Sequence, residues 1–191
     1  MKSLTKSFFK KDTLEIAKAL LGCYLVNETK QGKTIGKIVE TEAYLADDPA
    51  SHSFNGKTKR NEAMFGPSGK AYVYFTYGMY NCFNIVTKEK GIGEAVLIRA
   101  LEPLSGIELM KERRKTENLK NLCSGPAKLV QAMGISKEHN GVDLLNGKLQ
   151  ICKGKSIIKG SIIKTKRIGI SKGVNLPYRF YIKDSSFVSK P

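Results

Sequence analysis

The chain has 191 residues and carries 33 lysines and arginines against 17 acidic residues, a formal net charge of +16. That length suits one domain with a real core, the 41% hydrophobic content argues against wholesale disorder, and no apolar run is long enough to span a bilayer. The charge excess costs self-repulsion and is best explained by a polyanionic partner, with nucleic acid ahead of an anionic membrane because no basic amphipathic helix with a clean apolar face stands out.

Residues 1–11 read as a basic lead-in without the apolar region of a signal peptide. Asp12 is a plausible N-cap, and Leu14, Ala17, Leu20 and Leu21 fall on one helical stripe that Gly22 can close. Cys23 to Asn27 reads as a strand, and Gln31-Gly32-Lys33 as a hairpin turn into a second strand, Thr34 to Leu45. The loop from Ala46 to Pro67 exceeds the usual length inside a compact domain, which makes it a functional candidate. Strands follow at Ala71 to Tyr77, Cys82 to Thr87 and Glu94 to Glu102, the last ended by Pro103.

Ser105 to Lys115 reads as an exposed helix, and Ser124-Gly125-Pro126 starts another that runs to about Met133 before Gly134. The open end of that helix could hold a phosphate. Short strands are expected at Leu149 to Cys152, Ile157 to Ile158, Ile162 to Thr165 and Tyr178 to Ile182. Lys153, Lys155, Lys159, Lys164, Lys166, Arg167 and Lys172 read as a basic surface there. With no repeat and no linker, the expected fold is a single α+β domain over residues 1–191, with a mostly antiparallel curved sheet and flanking helices.

Cys23, Cys82, Cys123 and Cys152 form no C-x-x-C pair and only two histidines accompany them, so zinc ligation fails on spacing. Reduced, mostly buried thiols in a cytosolic protein are expected.

The most informative stretch is Val39 to Asn84. Strand alternation puts Glu40, Glu42 and Tyr44 on one face and Val39, Thr41, Ala43 and Leu45 on the other. Tyr72 and Tyr74 likewise point together, and Gly78 lets the chain turn after Tyr77. Arg99 interrupts an apolar strand and, if buried, needs a partner, usually a carboxylate. On the pattern alone, Glu42 could still be a solvated strand carboxylate, the tyrosines core rings and His52 a loop histidine.

The motifs Glu40-Thr41-Glu42-Ala43-Tyr44, Tyr72-Val73-Tyr74, Tyr77-Gly78-Met79-Tyr80, Leu97-Ile98-Arg99-Ala100-Leu101-Glu102-Pro103, Leu122-Cys123-Ser124-Gly125-Pro126 and Arg179-Phe180-Tyr181, with His52 and Asn84, occur in an order that resembles the alkyladenine (3-methyladenine, methylpurine) DNA glycosylases. The resemblance covers nearly the whole chain. It implies a base-excision-repair enzyme that flips out alkylated or deaminated purines from double-stranded DNA and hydrolyses the N-glycosidic bond, with neither a lyase step nor a metal or organic cofactor.

The resemblance makes Glu42 the general base, oriented by Arg99, with the main-chain carbonyl of Ile168 as a further ligand of the water. Tyr44, His52 and Tyr74 would hold the flipped base, Asn84 would obstruct the guanine exocyclic amine, and Tyr77 would intercalate. Glu40 reads as structural or as a solvated neighbour. A monomer in a bacterial cytoplasm, working at the nucleoid and not on membranes, is the expected setting.

Two rivals come from other classes. A nuclease would hold Mg²⁺ with Glu40, Glu42 and Asp47 or Asp48. A non-catalytic module would stack single-stranded bases on its tyrosines.

Overall fold

The computed structural model describes residues 1–76, 80–158 and 160–190. Its centre is an unusually long strand, β2 (Gly32–Tyr44). The alternating and β-branched residues of that segment favour an extended backbone, and the strand is long because it is shared. Its first half pairs antiparallel with β1 (Tyr24–Thr29), through Thr29 opposite Gly32. From Ile35 to Tyr44 the strand pairs with β5 (Ala95–Ser105) on one edge, and over Glu40 to Glu42 with β8 (Arg179–Ile182) on the other. The hairpin β3 (Ala71–Thr76) and β4 (Tyr80–Val86) adds to β5, and β6 (Leu149–Cys152) adds to β1. The sheet order is β3-β4-β5-β2-β1-β6, with β7 (Ile162–Thr165) reached through β8. The α+β class and the antiparallel sheet expected from the sequence are therefore what the chain forms.

Three α-helices among the described residues flank this sheet: α1 (Thr13–Ala19), α2 (Ile107–Arg114) and α3 (Pro126–Met133). Pro126 occupies the first turn of α3, where its missing N–H costs nothing, and Gly134 closes the helix in the left-handed region at φ 67°. Ile16, Leu20, Ile38, Ile98, Leu129 and Phe180 belong to one fully buried core between helices and sheet. A smaller cluster of Met64, Tyr72, Val86 and Ala95 lies beneath Tyr44 and Tyr74.

A register shift between Ile38 and Glu40 leaves Val39 without a partner on β5. The bulge flips the parity of the strand. Ile38 consequently reaches the core together with Ala43, while Thr41 bonds the Ala17 carbonyl of α1 at 2.9 Å.

Several expected elements differ in detail. Pro103 does not end β5, because it sits opposite Gly36 beside a second register shift, where no ladder N–H is required of it. Ile157 and Ile158 form no strand: Ile158 is 78% exposed and has no neighbour to pair with. Asp12 precedes α1 as expected, but its carboxylate bonds Lys88 at 3.0 Å rather than capping the helix. The lead-in is packed, not loose: Leu4 and Phe9 are buried, and the Leu4 N–H donates to the Ile151 carbonyl. All four thiols are buried and unpaired.

Candidate active site

Because the second half of β2 is covered on both edges, Glu40 and Glu42 are fully buried. An isolated buried carboxylate is prohibitively costly, so each must be met by donors. Glu40 Oε1 accepts from Arg99 Nε at 3.1 Å, Arg179 Nε at 2.7 Å and the Ser189 hydroxyl at 2.9 Å, and its Oε2 accepts from the Ser189 N–H at 2.6 Å. Those four donors saturate Glu40, which is structural.

Glu42 is held differently. Arg99 Nη1 lies 3.3 Å from its Oε2, the Tyr44 hydroxyl donates to the same oxygen at 2.9 Å, and the Ile168 N–H donates to Oε1 at 2.8 Å. Arg99 therefore bridges the two carboxylates from β5, the carboxylate partnership that a charge inside an apolar strand requires.

Burial raises Glu42 above the ordinary carboxylate range, against the opposing pull of Arg99, the Ile168 N–H and the Tyr44 hydroxyl. Desolvation wins because the carboxylate has no contact with solvent. The Tyr44 and Tyr74 hydroxyls are pushed well above the usual phenol range, chiefly by burial, and Tyr72 to about 12, so all three are neutral donors at physiological pH.

Tyr44, Arg99 and Ile168 also line a cavity of about 420 Å³. Glu42 itself lies just behind that lining. The opposite wall comes from the β3–β4 hairpin and the long loop. Tyr72 and Tyr74 alternate with the buried Val73 and reach the cavity with their ring centroids 5.4 Å apart. His52 meets Tyr74 edge to face at 4.5 Å, and its Nδ1 bonds the Tyr72 hydroxyl at 2.8 Å. Surrounding protein, and secondarily the Arg60 charge, lower its pKa, which favours neutral imidazole.

Local order in the long loop explains how His52 is held. The Asn61 amide donates to the carbonyls of His52 and Gly56, and Ser53 bonds the Gly93 carbonyl. A side chain at Gly93 would collide with Ser53 at 2.6 Å and with Phe65 at 2.8 Å, so only glycine admits the loop this close. Asn84 on β4 is buried, gives its amide N–H to the Tyr72 carbonyl at 3.0 Å, and lines the cavity with Cys82.

The structure thus brings together Glu42, Arg99, Ile168, Tyr44, His52, Tyr74 and Asn84. Tyr77 lies outside the described residues. Ile168, expected to offer its carbonyl to the water, also gives its N–H to Glu42, a contact the sequence did not announce.

Sequence reasoning missed Arg167, Arg179, Ser189 and Lys172. Arg167 read as part of a basic surface, yet it is buried and ion-paired with Asp48. Lys172, exposed as read, is also among the residues that line the cavity. Arg179 stood inside a recognisable motif, but nothing local marked it as a Glu40 ligand 139 positions away. Of the acidic set of the nuclease reading, Glu40, Glu42 and Asp48 are already committed to arginines, while Asp47 is exposed. Among the described residues, no cluster of three His, Cys, Asp or Glu side chains could hold a metal ion, and no helix is long and apolar enough to cross a membrane.

The comparisons place the chain in a class of enzymes: the DNA glycosylases, hydrolases of DNA repair. The model of the methylpurine-DNA glycosylase family matches residues 7–186. A relative in Carboxydothermus hydrogenoformans is 55% identical over 188 residues, 98% of each chain. One in Francisella tularensis subsp. tularensis is 54% identical, covering 93% of this chain and 94% of its own. A third, in Methanoculleus marisnigri, is 49% identical, covering 98% and 99%. All three carry the provisional name 3-methyladenine DNA glycosylase. The chain belongs to the methylpurine-DNA glycosylase family.

Proposed function

We propose that the cavity receives a damaged purine flipped out of duplex DNA, and that Glu42 activates the water that displaces it from the sugar. The observation that carries this reading is a fully buried carboxylate whose three partners, Arg99, Tyr44 and Ile168, all line an aromatic-walled cavity. A pKa raised toward neutrality suits a general base, which must be ionised yet still accept a proton at working pH. The water approaches Glu42 from the cavity side, with the Ile168 carbonyl as a second ligand, while the Tyr44 hydroxyl and the Ile168 N–H hold the carboxylate in place. Ionised Glu42 then also stabilises the positive charge that develops on the sugar as the glycosidic bond breaks.

Extruding a base costs a few kcal/mol. Stacking on aromatic rings returns about 1–3 kcal/mol per base, so Tyr44 and Tyr74 offset much of the cost. Arg167 covers one face of Tyr44, its guanidinium carbon 4.6 Å from the ring centroid, which leaves the other face for the base. His52 contacts the base edge, and Asn84 crowds the exocyclic amine that distinguishes normal guanine. Tyr77 fills the gap in the duplex.

The substrates are alkylated or deaminated purines: 3-methyladenine, 7-methylguanine, hypoxanthine and ethenoadenine. Cationic N3- or N7-alkylated purines leave readily. No lysine is assigned a Schiff-base role, so the reaction stops at base hydrolysis. The enzyme acts as a monomer at the bacterial nucleoid, and the +16 charge makes DNA affinity fall steeply with salt.

The test is base release in EDTA from duplexes holding hypoxanthine or ethenoadenine and from methylated DNA, with free base and strand scission measured separately. Free purine with intact strands is expected. Scission that requires Mg²⁺ would favour a nuclease, and binding without product a non-catalytic module.

A further inference from the structure

Arg167 is a heavily committed cation that the proposed reaction does not touch. Its guanidinium grips Asp48 with both terminal nitrogens, Nη2 reaching Oδ1 at 2.9 Å and Nη1 bonding Oδ2. Nη1 also donates to the Ala43 carbonyl near the end of β2 at 3.0 Å, while Nε is buried without a partner. The guanidinium lies over the ring of Tyr44 and faces that of Tyr178, at 4.6 and 5.5 Å. Gly173, at φ +58°, passes so close that an added side chain would meet Asp48 at 2.9 Å and Arg167 at 3.0 Å.

For fold stability alone this arrangement is a poor choice. Two desolvated charges and an unpaired Nε do no better than apolar residues of the same volume. What the pair does is join two cavity walls 119 positions apart in sequence, the long loop that carries His52 and the segment that carries Ile168. Two of the three donors to Glu42 hang from it. The Ile168 N–H belongs to the next residue, and the Tyr44 hydroxyl belongs to the ring that the guanidinium covers.

We propose that Arg167, latched by Asp48, is a positioning residue that aims the Ile168 N–H and the Tyr44 hydroxyl at Glu42 and so fixes the carboxylate for base hydrolysis. This rests on the glycosylase reading above. Glu42 faces Arg99 from β5, Glu40 and Tyr44 from its own strand, Tyr74 and Cys82 from the hairpin, and Arg167 from the loop before β8. Arg167 in turn faces Asp48, Tyr44, Glu42 and Tyr178. Its loss removes a cation and loosens an aligned N–H, and both favour the ionised carboxylate. The rate requires ionised Glu42 and falls as pH drops through its pKa, so weaker stabilisation of that form moves the acid limb to higher pH.

The experiment is single-turnover base release from a hypoxanthine duplex across the acid and neutral range. Wild type is compared with Arg167→Gln, Arg167→Lys and Asp48→Asn, with thermal unfolding of each. Arg167→Gln should lose about a hundredfold in rate at neutral pH, the cost of a misplacement near one ångström. Its acid limb should move up by about one pH unit, with affinity for an abasic duplex nearly unchanged. Arg167→Lys, which keeps the charge but not the fork, should return the limb toward its wild-type position while recovering only part of the rate. Should Arg167→Gln not fold, the limb in Asp48→Asn decides in the same way. Limbs that stay put while rate merely follows the folded fraction would overturn the proposal and leave the glycosylase reading intact. A wild type that releases no base would overturn both.

Discussion

The two walls of the cavity are built on opposite principles. The β2–β5 side is a buried array of charge: two carboxylates and the guanidinia of Arg99 and Arg179, with every carboxylate oxygen given a donor. The hairpin side is aromatic and neutral, with Tyr72, Tyr74 and His52 meeting at tilted or edge-to-face angles. Charge arrays of this kind are rigid because any lost partner strands another charge in low dielectric. Aromatic walls tolerate adjustment and reward any flat ring that enters. On the proposed reading the contrast separates labour: chemistry on the strand that is covered on both edges, and recognition on the hairpin.

The comparison can be broken most forcefully at Arg99. Arg99→Leu leaves Glu40 and Glu42 short of their shared cation and should cost about 3–5 kcal/mol of stability, a fall in Tm on the order of 10 °C for a chain of this size. A variant that melts like the wild type would show that the array is not coupled.

On the other wall, Tyr74→Ala removes a stacking face worth about 1–3 kcal/mol. It should weaken binding to a lesion duplex by roughly 5- to 150-fold while changing binding to undamaged duplex little. Equal losses on both DNAs would remove the recognition role from that wall.

The smallest effect is on the stability of Glu42→Gln. The pKa of Glu42 is raised above its unfolded value of 4.5. Its contribution is therefore fully present below that value and is lost as pH rises through the folded pKa. Ionised Glu42 costs stability at neutral pH, so Glu42→Gln should melt slightly higher there, by about 2–4 °C for each kcal/mol relieved. The gain should vanish below pH 4.5. A neutral-pH loss of stability would mean that Glu42 belongs to the fold, as Glu40 does.

Strand alternation placed Glu42 beside Tyr44 and Tyr72 beside Tyr74, and a charge inside an apolar strand marked Arg99 as needing a buried partner, but the roles of these residues were legible only in the family pattern. His52 and Asn84 came from the family pattern, since neither loop length nor strand register says what a lone histidine or asparagine faces. What stayed illegible was long-range pairing. Arg167 with Asp48 and Arg179 with Glu40 are joined only by the fold, and an arginine in a lysine-rich segment reads as surface until its partner is known. The bulge at Val39 escaped for a related reason: one unpaired residue leaves the hydrophobic pattern almost intact while flipping the face.

The most direct measurement is the single-turnover rate of base release by Glu42→Gln beside the wild type, with affinity for the same duplex measured in parallel. Removing the base that activates water should slow release by about 10²–10⁴-fold and leave lesion binding intact. Release at the wild-type rate, or a loss explained entirely by weaker binding, would contradict the assignment of Glu42 as the group that activates water.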